Sequence, residues 1–260
     1  MSWSTAGGVG IGMEGDGAPR SGSSRTSTSQ TIGIPLLAAL LRSAHGTPTA
    51  PGLSNAVLDE NVLGRPTAEG RRRTYRQLRE LYGLDPEHPE FRALLTLVRV
   101  APDELPLLAG LLAFTADPVL RASFGAVRAA RPGAVVTSTG LGAAVAEAFT
   151  TYSPSTLAKI GRNTASSWTQ TGHLVGRAPK HRTVVDPGPA AVAMAVLLGH
   201  LDGRRGVGLF DSPWTIVLDR SPERVRELAQ RSSRLGYLSV RDGGGVVEVD
   251  VSPLLDEEHA

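Results

Sequence analysis

Residues 153–186, SPSTLAKIGRNTASSWTQTGHLVGRAPKHRTVVD, constrain this chain more than any other stretch, because they specify a helix that runs straight into a hairpin. Ser153 suits an N-cap and Pro154 the first helical position, while Gly172 ends the helix. Leu157, Ile160, Thr164 and Trp168 recur at three- and four-residue steps, which predicts one inward stripe. The remaining faces carry Lys159, Arg162, Asn163, Ser166, Ser167 and Gln170, all donors or small hydroxyls, with no acid among them. Leu174 and Val175 begin a strand, residues 176–181 turn, and residues 182–185 return as a second strand. A helix followed by a hairpin with a basic tip is the recognition helix and wing of a winged helix-turn-helix.

Charge separates this segment from an ordinary solvated helix. From residue 121 to 185 there are eight cations against the single carboxylate of Glu147, a local net of +7 in a chain whose formal net charge is +2. A surface that excludes carboxylates and keeps Ser, Thr and Asn between its cations suits phosphates and base edges. Lys159, Arg162, Arg177, Lys180 and Arg182 are the expected phosphate contacts, with His181 beside them at the wing tip. Ser155, Asn163 and Ser166 are placed to reach base edges in a major groove, and Thr156 lies on the same first turns. Double-stranded DNA is the partner these residues fit.

The length of 260 residues admits one large domain or two to three small ones. There is no cysteine, which rules out disulfides, thiolate metal sites and cysteine nucleophiles. Only Lys159 and Lys180 are lysines, so arginine carries most of the positive charge for compositional reasons and not every arginine is a contact. The apolar runs at 105–114 and 190–198 fall short of the ~20 residues a membrane span needs. The chain therefore reads as cytoplasmic and unassociated with membrane.

In chain order, residues 1–31 are Gly, Ser and Thr with few hydrophobics and are expected to be disordered. The glycine run 7–12 lacks the strand–turn–helix context of a phosphate loop. An N-terminal helix-turn-helix-like unit is expected over 32–86, with helices at 34–43, 53–63 and 67–81. The last places Tyr75, Leu78 and Tyr82 inward and gathers Arg72, Arg73, Arg76 and Arg79 outside, a secondary candidate DNA surface. Connecting helices follow over 87–132 (91–98, 103–114 and 117–130), the middle one apolar nearly all round and so buried. The basic winged helix spans 133–186, with a helix at 139–149 whose Gly140, Gly142, Ala143 and Ala144 permit close approach beneath the recognition helix. A second helix-then-wing unit covers 187–252: helix 190–201, a short strand or turn at 213–218, and a helix from Ser221 and Pro222 to Arg234. It ends in a hairpin about Asp242, Gly243, Gly244 and Gly245, and 253–260 forms a tail. From residue 186 onward eight arginines face twelve acids. This unit thus suits structure, a homodimer contact or a partner protein, although Arg224, Arg231 and Arg234 leave DNA contact open. The fold class is mainly α: a helical bundle with winged helix-turn-helix units and small β-hairpin wings.

No catalytic constellation stands out. His45, His88, His173, His181, His200 and His259 are scattered without a pair at i,i+4, and no Gly-x-Ser-x-Gly elbow occurs. His173 reads as a helix-end cap. No metal, cofactor or enzymatic activity is expected.

The order ENVLGRPTAEGRRRTYRQLRELYGL, then LPLLAGLLAFTADPVLRASF, then TTYSPSTLAKIGRNTASSWTQTGHL, resembles the BrxA family of the BREX bacteriophage-exclusion systems. The likeness covers residues 33–252, and its most specific piece is the S-P-S-T-L-x-K start of the central helix. It implies a small helical protein with winged-helix elements that binds DNA within a bacterial antiphage defence system, alongside other defence proteins. It also implies Ser155, Thr156, Lys159, Arg162 and Asn163 as DNA-facing positions. Family members have been labelled inner-membrane proteins; the short apolar runs here argue against that. Two other readings stand beside it: an assembly adaptor whose basic patch meets an acidic protein, and a stand-alone transcription regulator.

Overall fold

The computed structural model describes residues 30–44, 47–244 and 246–255. Residues 1–29 of the leader, with its glycine run, His45 and Gly46, Gly245 and the last five residues with His259 lie outside them. Three helices open the chain: α1 (Ile34–Ser43), α2 (Ala50–Leu58) and α3 (Ala68–Tyr82). Thr49 and Thr67 cap the second and third through their hydroxyls, accepting from the amides of Gly52 and Gly70. On α3 Leu78 and Tyr82 are buried as expected, Tyr75 is half-buried, and Thr74 and Gln77 join the inner face.

The centre is built on two helices that are apolar on every side. After α4 (Pro89–Val100) and a short 3-10 turn comes α5 (Leu105–Ala116), in which every residue from Leu107 to Phe114 is buried. Its counterpart is α9 (Pro189–Leu201), buried continuously from Ala190 to Gly199. A helix without a polar face has to be enclosed, and these two enclose one another, with other helices packed round them. Glu104 fixes their relation, since its carboxylate accepts from the amides of Ala190 (3.3 Å) and Ala191 (2.7 Å) at the start of α9. No single helix among the described residues is long and apolar enough to cross a membrane; α5 with its preceding turn and α6 (Pro118–Ala129) pass that test only as a pair bent by 118°.

From α6 onward the chain folds as a winged helix. It continues through Val135, α7 (Ser138–Ala148) and α8 (Pro154–Gln170) into β1 (Leu174–Val175) and β2 (His181–Arg182). β1 and β2 pair antiparallel, Leu174 opposite Arg182, and Val135 bridges to His181 on the far edge of β2. The returning strand is shorter than the expected 182–185: Val185 turns its amide toward Asp219 instead of extending the ladder. Where α7 crosses α8 the backbones nearly touch. A methyl on Gly161 would lie 2.0 Å from the Ser138 carbonyl oxygen, and one on Gly142 would lie 2.8 Å from that of Leu157. Gly142 is thus the close-approach residue of α7, whereas Ala143 is exposed.

The C-terminal unit repeats the plan with α9, α10 (Pro213–Val217), α11 (Pro222–Arg234) and an antiparallel hairpin of β3 (Ser239–Gly243) with β4 (Val246–Asp250). Of residues 213–218, expected as strand or turn, Pro213–Val217 are helical because Ser212 and Thr215 close a reciprocal capping box. The expected tail starts with order: α12 (Ser252–Leu255) buries Leu254, and Arg92 donates to the Leu255 carbonyl at 2.9 Å.

Gly161→Ala is expected to cost at least about 3 kcal/mol in a urea melt, because the obstruction is backbone and cannot rotate away. Gly125→Ala on α6, where the added methyl meets nothing within 4 Å, should instead stabilise by about 0.5–1 kcal/mol. Equal effects at the two sites would contradict the close helix crossing.

Candidate nucleic-acid interface

The geometry of α8 sorts its residues by periodicity. Ser155, Lys159, Arg162 and Ser166 follow at steps of four, three and four and form one outward row. The first three are exposed and Ser166 is half-buried. Thr156 and Asn163 sit on the flank of that row, half-buried. The helix begins in a knot of hydroxyls, with the Ser153 Oγ accepting from the Thr156 amide at 3.2 Å and lying 3.0 and 2.9 Å from the hydroxyls of Ser155 and Thr156. Ser167 was grouped with the outer residues, but it is buried, accepts from the Ile32 amide at 3.1 Å and donates to the Asn163 carbonyl at 2.9 Å. Its place seven residues after Ile160 and three after Thr164 is the periodic signal for an inward position. Gln170 accepts from the Ile34 amide at 2.8 Å, so segment 31–34 covers the far end of α8 and leaves its first three turns open.

The wing divides its cations between surface and structure. Arg177 is exposed at the turn. Lys180 is half-buried, and its ammonium donates to Thr169 Oγ1 on α8 (2.8 Å) and to the Gly176 carbonyl (3.3 Å), so it tethers wing to helix. His181 donates from Nδ1 to the Gly133 carbonyl at 3.0 Å. Arg182, expected to neutralise a phosphate, is 5 % exposed and locked to Asp219 at 2.5 Å. The reason is β alternation. Val175 and Leu174 point to opposite faces, Leu174 is buried, and Arg182 is its partner in register. Asp219, two residues past the end of α10, therefore belongs to the structure of the wing although it lies 37 residues from Arg182 in sequence. Arg131, one of the eight cations of the basic window, sits beside the turn whose Gly133 amide bonds back to the Arg182 carbonyl, and it is exposed beside the wing base. The charge window that contains it was the available signal.

Electrostatics distinguish the two winged units. Among the described residues no carboxylate pairs with Lys159, Arg162, Arg177, Arg128 or Arg131. In the C-terminal unit Arg224 pairs with Glu227 (2.6 Å), Arg226 with Asp242, and Arg241 with Glu248 (3.8 Å). The corresponding surface of α11 is thus largely self-neutralised, with Arg231 and Arg234 exposed at its end. On α3, Arg72, Arg73, Arg76 and Arg79 are all exposed, and among the described residues only Arg72 meets an acid, Glu69 at 3.5 Å.

His173 is a fully buried hub in place of a surface cap. Its Nε2 faces the Val217 carbonyl at 2.7 Å, which can only accept, so Nε2 carries the proton and Nδ1 accepts from the Thr171 hydroxyl at 2.7 Å. Burial pushes the imidazole down to about 4, against the pull of the Val217 carbonyl and the Asp219 carboxylate and with the push of Arg182. A shallow cleft of ≈ 350 Å³ opens nearby between the end of α6 and the start of α11, edged by Arg128, Asp211, Asp219 and Arg220. Asp219 is occupied by Arg182 and Arg220 by Asp186 (2.7 Å).

Compared with known proteins, the chain matches no family model and no curated sequence.

Two measurements follow from the buried groups. Asp219→Ala should destabilise by roughly 3–5 kcal/mol, since it strands Arg182 inside the protein; a change under about 1 kcal/mol would return Arg182 to the surface. The depressed imidazole contributes stability that is complete above the unfolded-state pKa near 6.5 and is lost as pH falls toward 4. Subtracting the urea-stability profile of His173→Gln from that of the native chain should leave a decline on the order of 3 kcal/mol between pH 6.5 and 4. A flat difference would mean that the buried imidazole takes its proton freely.

Proposed function

We propose that the protein binds double-stranded DNA without chemical catalysis, laying the first three turns of α8 in the major groove and the β1–β2 wing along the adjacent backbone. The observation that carries this is the row Ser155, Lys159, Arg162 and Ser166. It offers only donors and hydroxyls and has no carboxylate partner, on a helix whose other sides are packed. Lys159, Arg162 and Arg177 would meet phosphates, with Lys180 and His181 close behind them. Ser155, Thr156, Asn163 and Ser166 would meet base edges. The same resemblance that named Ser155, Thr156, Lys159, Arg162 and Asn163 supports a place in a bacterial antiphage system of the BREX type, acting in the cytoplasm with other defence proteins.

A protein-docking role fits the C-terminal unit better than a DNA role. Arg224, Arg226 and Arg241 are held by its own acids, and Val207 (63 % exposed) and Val246 (70 % exposed) stand out on it. A partner of the defence system, or a second copy, is the occupant this surface suits.

Fluorescence anisotropy with a random-sequence duplex across a salt series tests the reading. Binding in the micromolar range at physiological salt is expected, weakening steeply as salt rises. Lys159→Ala with Arg162→Ala should weaken it about tenfold or more and lower the salt slope by about 1.8, at 0.9 per phosphate contact. The thermal melt should hardly move, whereas Arg231→Ala with Arg234→Ala should leave binding intact. Undiminished binding by the α8 variant would sink the proposal.

A further inference from the structure

We infer that α3 carries a second duplex-contacting face, turned away from α8, and that a single copy of the protein holds two DNA segments at once. The inference rests on the DNA reading of α8 and extends it to a surface that reading leaves unused.

The inner side of α3 is Thr74, Gln77, Leu78, Leu81 and Tyr82. Arg72, Arg76 and Arg79, at steps of four and three, fall on the opposite side, with Arg73 on its edge. All four are exposed. Two acids share the helix: Glu69, which meets Arg72, and Glu80, which is exposed and makes no ion pair. The row from Arg72 to Arg79 spans about 10 Å of helix, a length over which duplex DNA presents about six phosphate charges. Among the described residues three of the four guanidiniums have no carboxylate partner. Phosphate is the chemistry that suits planar, multiply donating cations in a row.

The direction of the row comes from segment 31–34, which is clamped between the two basic helices. On one side Gln77 Nε2 donates to the Thr31 carbonyl (2.5 Å) and the Tyr82 hydroxyl to the Ile32 carbonyl (2.7 Å). On the other side the Ile32 amide donates to Ser167 and the Ile34 amide to Gln170 of α8. The segment therefore lies against the buried side of α3 and the flank of α8. It follows that the arginine row looks away from α8, and a straight duplex seated on the α8 row does not run under it. Two faces that one straight duplex cannot reach together are suited to two segments. The packed joint between them holds their relative angle.

The test uses the full chain, one biotinylated duplex of about 20 bp on beads and a second, fluorescent duplex of the same length, too short at two helical turns to wrap both faces. The native protein should retain the fluorescent duplex. Arg72→Gln with Arg76→Gln and Arg79→Gln, which removes charge and keeps helix propensity, should cut retention at least about tenfold while changing single-duplex anisotropy less than about twofold. Its thermal melt serves as the control for folding. A native protein that binds one duplex by anisotropy and never retains the second overturns the inference, with the α8 reading intact. So does retention that survives in the α3 variant, which would assign bridging to two copies joined elsewhere. Fluorescent polyglutamate bound by the native chain and lost in the α3 variant, with duplex retention unchanged, overturns it in favour of an acidic protein partner. Absence of any duplex binding removes the α8 reading and this inference together.

Discussion

Trp168 has to satisfy two demands at once, and the middle of the molecule is arranged around them. It is the largest fully buried side chain, and its indole N–H needs an acceptor where water does not reach. Ser123 of α6 supplies that acceptor at 2.8 Å, while Phe124, Phe114 and His173 pack against the ring with centroids 5.1, 6.4 and 5.0 Å away. One side chain thus ties the outward-facing helix α8 to α5, to α6 and to the start of the wing. The rest of the inward face follows: Gly161 lets α7 come close, and Ser167 receives the segment that links α8 to the N-terminal helices. Because every inward position is committed, the outward row of α8 has a fixed azimuth.

Two copies of one plan, helix pair followed by hairpin, occupy the same chain with opposite electrostatics. Around α8 the exposed cations have no acid partner among the described residues; around α11 Arg224, Arg226 and Arg241 have one. Exposed ion pairs of the second kind contribute little to stability. Their main effect is to remove field strength from a surface that would otherwise attract polyanions. Neutralisation by position, with no change of backbone, is what separates the surface proposed for DNA from the one proposed for a partner protein.

Much of this was legible in the residues. Ser or Thr followed by helix-forming residues marked the starts of α3, α8 and α11, and the apolar circumference of α5 and α9 announced their burial. The hairpins were visible from glycine and from alternation. What escaped had physical causes. α10 is five residues long, too short for a 3.6-residue period to show, and only the Ser212–Thr215 spacing betrays it. Arg182 looked like its neighbours because its burial depends on Asp219, and nothing periodic links two residues from separate units. Ser167 was readable by spacing and was masked by its polarity. His173 was misplaced for the same reason: a polar side chain at a helix end is read as surface unless its partners, here Thr171 and the Val217 carbonyl, are known.

The contacts that cross from the basic wing to the C-terminal unit bear on modularity. Winged helices are commonly thought of as interchangeable cassettes, able to be lifted from one chain and set in another. This one is not self-contained. Cut after Asp186, it would keep Arg182 and lose the Asp219 carboxylate, and it would keep the His173 N–H and lose the Val217 carbonyl. The surface proposed for DNA lies within residues 155–181, yet the interior that holds it in shape is completed by another unit. Any rearrangement of this chain has to move the two winged units as a single piece.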